Sequence, residues 1–267
     1  MDEQTVHAVE RAISFMRQNL ADRITVDDMA QAAQFSKFYF TRLFQRVTGV
    51  SPARYLSALR LEKAMRLLLN SSSTVADISY QVGYNSPGTF SSRFRSSVGV
   101  SPITFRQLGG YTSHLAADSR VHRMDRLGAT IRGSMRVTEG GRRGFTFVGL
   151  FRDPIPQGPP ASCALLPGPG PFVLNDVPNG KWFVHAQSIA IGAEENVIVP
   201  KESADAPYVG SCGPIVMRRD ASTIVVELLL RPQRTVDPPV LLAPVDVRSD
   251  AMRNFRAENV PDVVSVV

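Results

Sequence analysis

No apolar run in this chain approaches the roughly 18 residues needed to span a bilayer, which excludes a helical membrane protein. The start, Met1-Asp2-Glu3-Gln4, lacks the basic and apolar regions of a secretory signal, so a cytoplasmic location is expected. Cysteine is scarce, with Cys163 and Cys212 the only two among 267 residues. That excludes a disulfide scaffold and leaves no paired-cysteine spacing for zinc; the two read first as small buried hydrophobes, with a redox pair as the minority reading. Proline is nearly missing from the first 110 residues, where only Pro52, Pro87 and Pro102 occur, against sixteen from Pro154 onward. A helical half therefore gives way to one built of strands and turns.

The helical half is written twice. Thr25-Val26-Asp27-Asp28-Met29 is echoed by Thr74-Val75-Ala76-Asp77-Ile78, and Gly49-Val50-Ser51-Pro52 returns as Gly99-Val100-Ser101-Pro102. In the first copy Thr25 is placed to cap a helix whose apolar residues Val26, Met29, Ala30 and Ala33 fall at i, i+3, i+4 and i+7. Gln34 and Phe35 fill a short turn. Ser36 then precedes a second helix with Phe40, Leu43, Phe44 and Val47 on one face. The second copy repeats this with Val75, Ile78 and Val82, a turn at Gly83-Tyr84, a cap at Asn85 or Ser86, and Phe90, Phe94 and Val98 as the inward stripe. Between the copies, Ser51 and Pro52 open a helix running to about Leu69, a rod of roughly 27 Å at about 1.5 Å per residue.

The opposite face of each second helix is polar or basic. In the first copy it carries Phe38, Thr41, Arg42 and Gln45, with Lys37 and Arg46 as further candidate DNA contacts; in the second, Gly88, Ser91, Ser92 and Arg95, with the candidate Arg93 about a quarter turn away. One stripe to pack and one to offer hydrogen bonds to base edges and phosphates is what a recognition helix needs. A single pair of this kind would read as ordinary amphipathic helices. Duplication in register, basic outer faces and a spacer near the roughly 34 Å repeat of the major groove together favour double-stranded DNA as partner. Charge agrees: residues 1–110 hold 13 Lys/Arg against 8 Asp/Glu and residues 111–143 hold 7 against 3, whereas residues 144–267 hold 10 against 13.

Residues from about Val6 to Leu108 resemble the DNA-binding domain of the AraC/XylS family of bacterial transcription regulators. The match rests on Arg60-Leu61-Glu62-Lys63-Ala64 with Leu67-Leu68, on Val75-Ala76-Asp77-Ile78-Ser79, on Val82-Gly83-Tyr84, and on Phe90-Ser91-Ser92-Arg93-Phe94-Arg95. Gly99-Val100-Ser101-Pro102 with Phe105-Arg106 completes it. The resemblance implies base contacts from Phe38, Thr41 and Arg42 in the first unit and from Gly88, Ser91 and Ser92 in the second. Where the family commonly has an arginine, this chain has Ser92. The first unit is therefore expected to read sequence and the second to lean on phosphates.

Past Gly109 the periodicity stops, and residues 111–128, with Arg120, Arg123 and Arg126, read as a linker, equally a solvated connector or a phosphate contact. Seven β-like runs follow: 130–137, 145–151, 162–166, 172–174, 182–188, 215–218 and 223–230, separated by Gly/Pro clusters. They predict an antiparallel β-sandwich over 129–235, with 236–267 as a C-terminal extension. Residues 170–186 with 223–229 resemble prealbumin-like modules, the carboxypeptidase regulatory-like and starch-binding-like folds. The chain is thus expected to be multidomain, an all-α double helix-turn-helix domain over 1–110 joined to a sandwich.

Chemistry in the second half is thin. His185 shares a strand face with Phe183, opposite Trp182 and Val184, and reads as structural. Ser211 has no base nearby in sequence. Trp182 reads as core, and Glu227 as a solvent-facing carboxylate or one paired with an arginine. No catalytic set, cofactor site or metal site is expected. The sequence points to a DNA-binding transcription regulator whose second domain modulates binding or assembly, with RNA polymerase and a small-molecule effector as further candidate partners. A small-molecule or carbohydrate sensor with DNA binding as output is the alternative; an enzyme with an appended DNA-binding module is the remote one.

Overall fold

The computed structural model describes residues 3–110, 129–138, 144–190, 207–218 and 223–242. The expected linker and the chain from 243 onward lie outside the described residues. The helical part comprises α1 (Glu3–Gln18), α2 (Val26–Ala32), α3 (Lys37–Thr48), α4 (Pro52–Asn70), α5 (Val75–Gln81), α6 (Pro87–Val98) and α7 (Pro102–Gln107). The repeat is visible in the caps. Thr25 and Thr74 each accept from the backbone N–H three residues on, while Asp28 and Asp77 accept from the threonine N–H, two matching capping boxes. The Thr25 backbone N–H and hydroxyl hold the Asp28 carboxyl below its ordinary range. Ser86 caps α6 through Thr89 N–H, which decides between the two expected candidates. Ser36 and Ser51 occupy N-cap positions without a side-chain hydrogen bond.

Packing repeats as well. Phe40 and Phe44 lie 5.4 Å apart, and Phe44 meets Tyr55 edge-on at 5.3 Å; Phe90, Phe94 and Phe105 reproduce this at 5.7 and 5.5 Å. All six rings are fully buried, each contributing on the order of 2–3 kcal/mol of apolar burial. Each of α3 and α6 is thereby fixed to the helix that follows it. Arg60 joins the units, donating to Leu20 and Asp22 carbonyls across the turn at Gly83. A Cβ at Gly83 would sit 2.4 Å from the Leu20 carbonyl oxygen, and its φ of +82° is one that side chains disfavour. Arg106 likewise holds the α4–α5 connection through Leu68, Ser71 and Ser73 carbonyls.

The second part consists of β1 (Ala129–Val137), β2 (Gly144–Phe151), β3 (Ser162–Leu166), β4 (Pro171–Val177), β5 (Gly180–Ala190), β6 (Tyr208–Met217) and β7 (Thr223–Pro232). All seven expected strands are present, β4 and β6 longer than read from sequence. Their assembly corrects the sandwich. They form a single sheet in the order β3-β2-β5-β6-β7-β1-β4, whose edge strands β3 and β4 return beside one another, a nearly closed barrel. Nor is it all antiparallel, because β1 pairs parallel with β7. Alternation along a strand fixes which side is buried, and sandwich and barrel share that pattern. Closure comes from pairing and curvature, including bulges at Ala129/Ile131 and Trp182/Val184. Trp182, Val184, Leu174, Ile131 and Leu228 fill the interior.

The two parts meet. Ile155 from the β2–β3 loop and Val236 and Leu241 after β7 are buried in the helical core. The Tyr55 hydroxyl hydrogen-bonds the carbonyls of Thr235 and Asp237, at 2.7 and 2.9 Å. Tyr55→Phe keeps the ring and strips both carbonyls of their donor, so it should lower stability by about 1–2 kcal/mol. A urea midpoint equal to the wild type's would show that these bonds hold nothing.

Candidate nucleic-acid interface

Because Phe40, Leu43 and Phe44 turn inward, the helical period puts Phe38, Arg42, Gln45 and Arg46 outward on α3, where all four are exposed. Phe38 stands out at 83% exposure, a large apolar ring at the head of a basic helix. Neighbouring Tyr39, also exposed, leans on Phe35 with ring centres 4.9 Å apart. Tyr39 was not singled out from sequence. The signal was there: three consecutive aromatics, Phe38-Tyr39-Phe40, cannot all face one core. Thr41 is half-buried and donates its hydroxyl to the Lys37 carbonyl at 2.8 Å, so it offers outward a methyl and acceptor lone pairs. Lys37 is tied by a 2.7 Å ion pair to Asp27 of α2, which steadies α3 on its supporting helix.

On α6 the outward stripe is smoother. Gly88 has open space around it, Ser91 is half-buried, and Ser92, Arg93 and Arg95 are exposed. Arg93 projects about 100° around the helix from Ser92. Neither α3 nor α6 contains an acidic residue, so both present a purely positive or neutral face. All eleven residues singled out from sequence thus fall on two helices carried by one continuous core, α3 chemically rich and α6 sparse. The spacer α4, of 19 residues, is about 28 Å long.

The candidates in the barrel fall into structural places. Trp182 is core, donates to the Pro178 carbonyl, and receives Arg152 over its ring at 4.5 Å. Glu227 is exposed, 3.9 Å from Arg136. Cys163 and Cys212 are free thiols on β3 and β6, with β2 and β5 between them, about three strand spacings of roughly 4.8 Å. A disulfide between them would require the sheet to come apart. Burial pushes the Cys163 thiol up, away from reactivity. Ser211 sits opposite His185 in the β5–β6 pairing. His185 lies against Phe151 and Phe183, its Nε2 3.2 Å from the Asp153 carbonyl, and desolvation drives its pKa down to about 4. Among the described residues no cluster of His, Cys, Asp or Glu could hold a metal ion, and no helix is long and apolar enough to cross a membrane.

The lowered pKa has a sign that can be tested. Between pH 6.5 and about 4 the unfolded chain binds a proton at His185 that the folded chain refuses. Stability should therefore fall as pH drops through that window, by at most on the order of 3 kcal/mol, and level off below it. His185→Gln should remove that part of the slope in urea melts at pH 7.5 and 5. An identical slope in the variant would show that His185 does not titrate as its surroundings dictate.

Comparison with known proteins yields matches whose family model lies in the helical part. A helix-turn-helix domain model matches residues 29–108. The lactose operon transcription activator of Staphylococcus xylosus is 34% identical over 98 residues, covering 37% of this chain and 35% of that protein. The transposon Tn10 TetD protein of Escherichia coli is 32% identical over 108 residues, covering 40% of this chain and 78% of that protein. A solved AraC-type regulator from Chromobacterium violaceum shares 28% identity over 40% of this chain and 96% of its own, with a TM-score of 0.39. The chain spans about a third of the length of several curated relatives that it matches.

Proposed function

This chain belongs to the AraC family of helix-turn-helix regulators, and from that premise we propose that it is a transcription regulator reading double-stranded DNA through α3 and α6. The observation that carries the proposal is two acid-free helices, each with a buried aromatic stripe and an exposed polar one, repeated on a single core. Two such helices on one chain can enter successive major grooves on one side of a duplex. The barrel modulates that binding or the protein's assembly.

The two heads divide the labour unequally. Arg42 can fork onto the O6 and N7 of a guanine, and Gln45 can pair with an adenine edge. Phe38 has nothing polar to offer; its ring suits the thymine methyl, the one apolar group that base edges present in the major groove. α6 offers Gly88, Ser91 and Ser92, which allow close approach without a bidentate fork, together with the exposed Arg93 and Arg95 as cations for phosphates.

The test begins with selection of a duplex from a random library by the full chain. Against the selected site, Arg42→Ala should raise Kd by about 5- to 150-fold, equivalent to roughly 1–3 kcal/mol, and relax preference at one base pair. Arg93→Ala should weaken all duplexes alike and lower the slope of log K against log salt by about 1. Full affinity in Arg42→Ala would remove α3 from the reading role, and enrichment of no duplex would sink the proposal as a whole.

A further inference from the structure

The repeat is broken at one informative place. Tyr55 of the first unit corresponds to Phe105 of the second, and both rings occupy the same edge-on position against the recognition helix. Only Tyr55 has a hydroxyl, and that hydroxyl binds the segment following β7. The β2–β3 loop docks beside it and reaches both units. At its start, Asp153 forms an ion pair with Arg54 in the first turn of α4, and a Cβ placed on Gly49, at the C-cap of α3, would lie 3.9 Å from the Pro154 Cβ. In its middle, Ile155 enters the helical core. Near its end, the Gly158 N–H donates to the Ser97 carbonyl at 2.6 Å, in the last turn of α6, where helix geometry leaves carbonyls without an intrahelical donor.

The loop is itself stiffened. Asp153 accepts from Ile155 N–H and from the Gln157 side chain. Leu241 N–H donates to the Pro156 carbonyl, and the following segment is held by the bidentate Arg231–Asp237 pair at 2.6 and 2.7 Å. Gly158 has φ of +70°, and a Cβ there would press on the Ser96 carbonyl oxygen at 3.3 Å. A side chain at this position would move the loop off α6.

We infer that the β2–β3 loop is a splint between the two reading heads: Asp153 and Gly158 are positioning residues that fix the start of α4, which follows α3 directly, relative to the C-terminal end of α6, and so set the spacing of half-sites that the protein accepts. This rests on the DNA-reading function proposed above. Through the splint the barrel tunes which duplexes are bound without touching DNA. The rigid connection narrows the range of half-site separations, because a misplaced site must either forgo one head or bend.

The test uses the full chain and the selected duplex with one base pair added or removed between its half-sites. The wild type should lose about thirtyfold in affinity on either change, while Asp153→Ala and Gly158→Val should lose only about threefold, since a head freed to shift can follow its half-site. Base substitutions within a half-site should cost all three proteins the same. A DNA-free measurement runs alongside: spin labels on Gln45→Cys and Arg95→Cys, in a Cys163→Ala/Cys212→Ala background, should give one narrow distance that broadens when the splint is altered. Should Gly158→Val not fold, Asp153→Ala carries both measurements, its side chain being partly exposed. An unchanged spacing penalty in a folded variant, or a distance distribution that stays narrow, overturns the splint. Failure to enrich any duplex would count against DNA reading instead, and the spin-label distances would still decide the splint.

Discussion

Edge-on packing of α3 and of α6 against the helix that follows each is the contact on which the rest of this molecule depends. Phe44 on Tyr55 and Phe94 on Phe105 lock the inward stripe of α3 and of α6 to the next element in the chain. With that face committed, a helix of 3.6 residues per turn has no choice about where its other residues point. Arg42, Gln45 and Arg46 are outside because Phe40, Leu43 and Phe44 are inside. The exposed chemistry is a consequence of burial, while side-chain caps at Thr25, Thr74, Ser86 and Ser101 mark where α2, α5, α6 and α7 start.

A duplicated unit also records what distinguishes its copies. The first has a rich outer face and a tyrosine in its aromatic ladder; the second has a sparse outer face and a phenylalanine. Both differences have physical meaning. Bidentate forks on α3 can tell bases apart, whereas serine and glycine on α6 permit approach without demanding a particular base. The tyrosine hydroxyl is buried at a place where two backbone carbonyls of the barrel's trailing segment would otherwise lack a donor. The first unit, the main reader in the function proposed, thus also carries the tyrosine to which the segment after β7 is bound. Ile155, Val236 and Leu241 join the hydrophobic core shared by both units from outside the helical segment, so the two parts meet through apolar burial as well as polar links.

Within the barrel, the side chains that first suggest chemistry are used for packing and for attachment. Trp182 is enclosed and capped by Arg152, and His185 is held neutral by its surroundings beside the same loop that reaches the helices. Arg152, Asp153 and Ile155 lie within four residues of one another, and they face Trp182, Arg54 and the helical core in turn. One short loop thereby connects the barrel interior, its outer aromatic face and the helical domain.

The sequence by itself determined the elements and their faces: the 49- to 50-residue repeat, the threonine caps, the apolar spacings of α2 to α6, all seven strands, and the buried sides of Trp182 and Val184. These follow from local rules, because a period of 3.6 or 2 and a capping side chain act within a few residues. Only the tertiary structure decided which strands are neighbours. A barrel with a parallel β1–β7 pair and a two-sheet sandwich impose the same alternation on each strand, so the pattern could not separate them. It decided as well that residues 152–160 reach from α4 to α6. That bridge rests on one ion pair between residues 99 apart in sequence and one backbone hydrogen bond from Gly158 to the Ser97 carbonyl, and backbone groups have no signature in an amino-acid sequence. The lone local trace was Tyr55 standing where its repeat has Phe105, a hydroxyl that is explained only once the chain has come back to meet it.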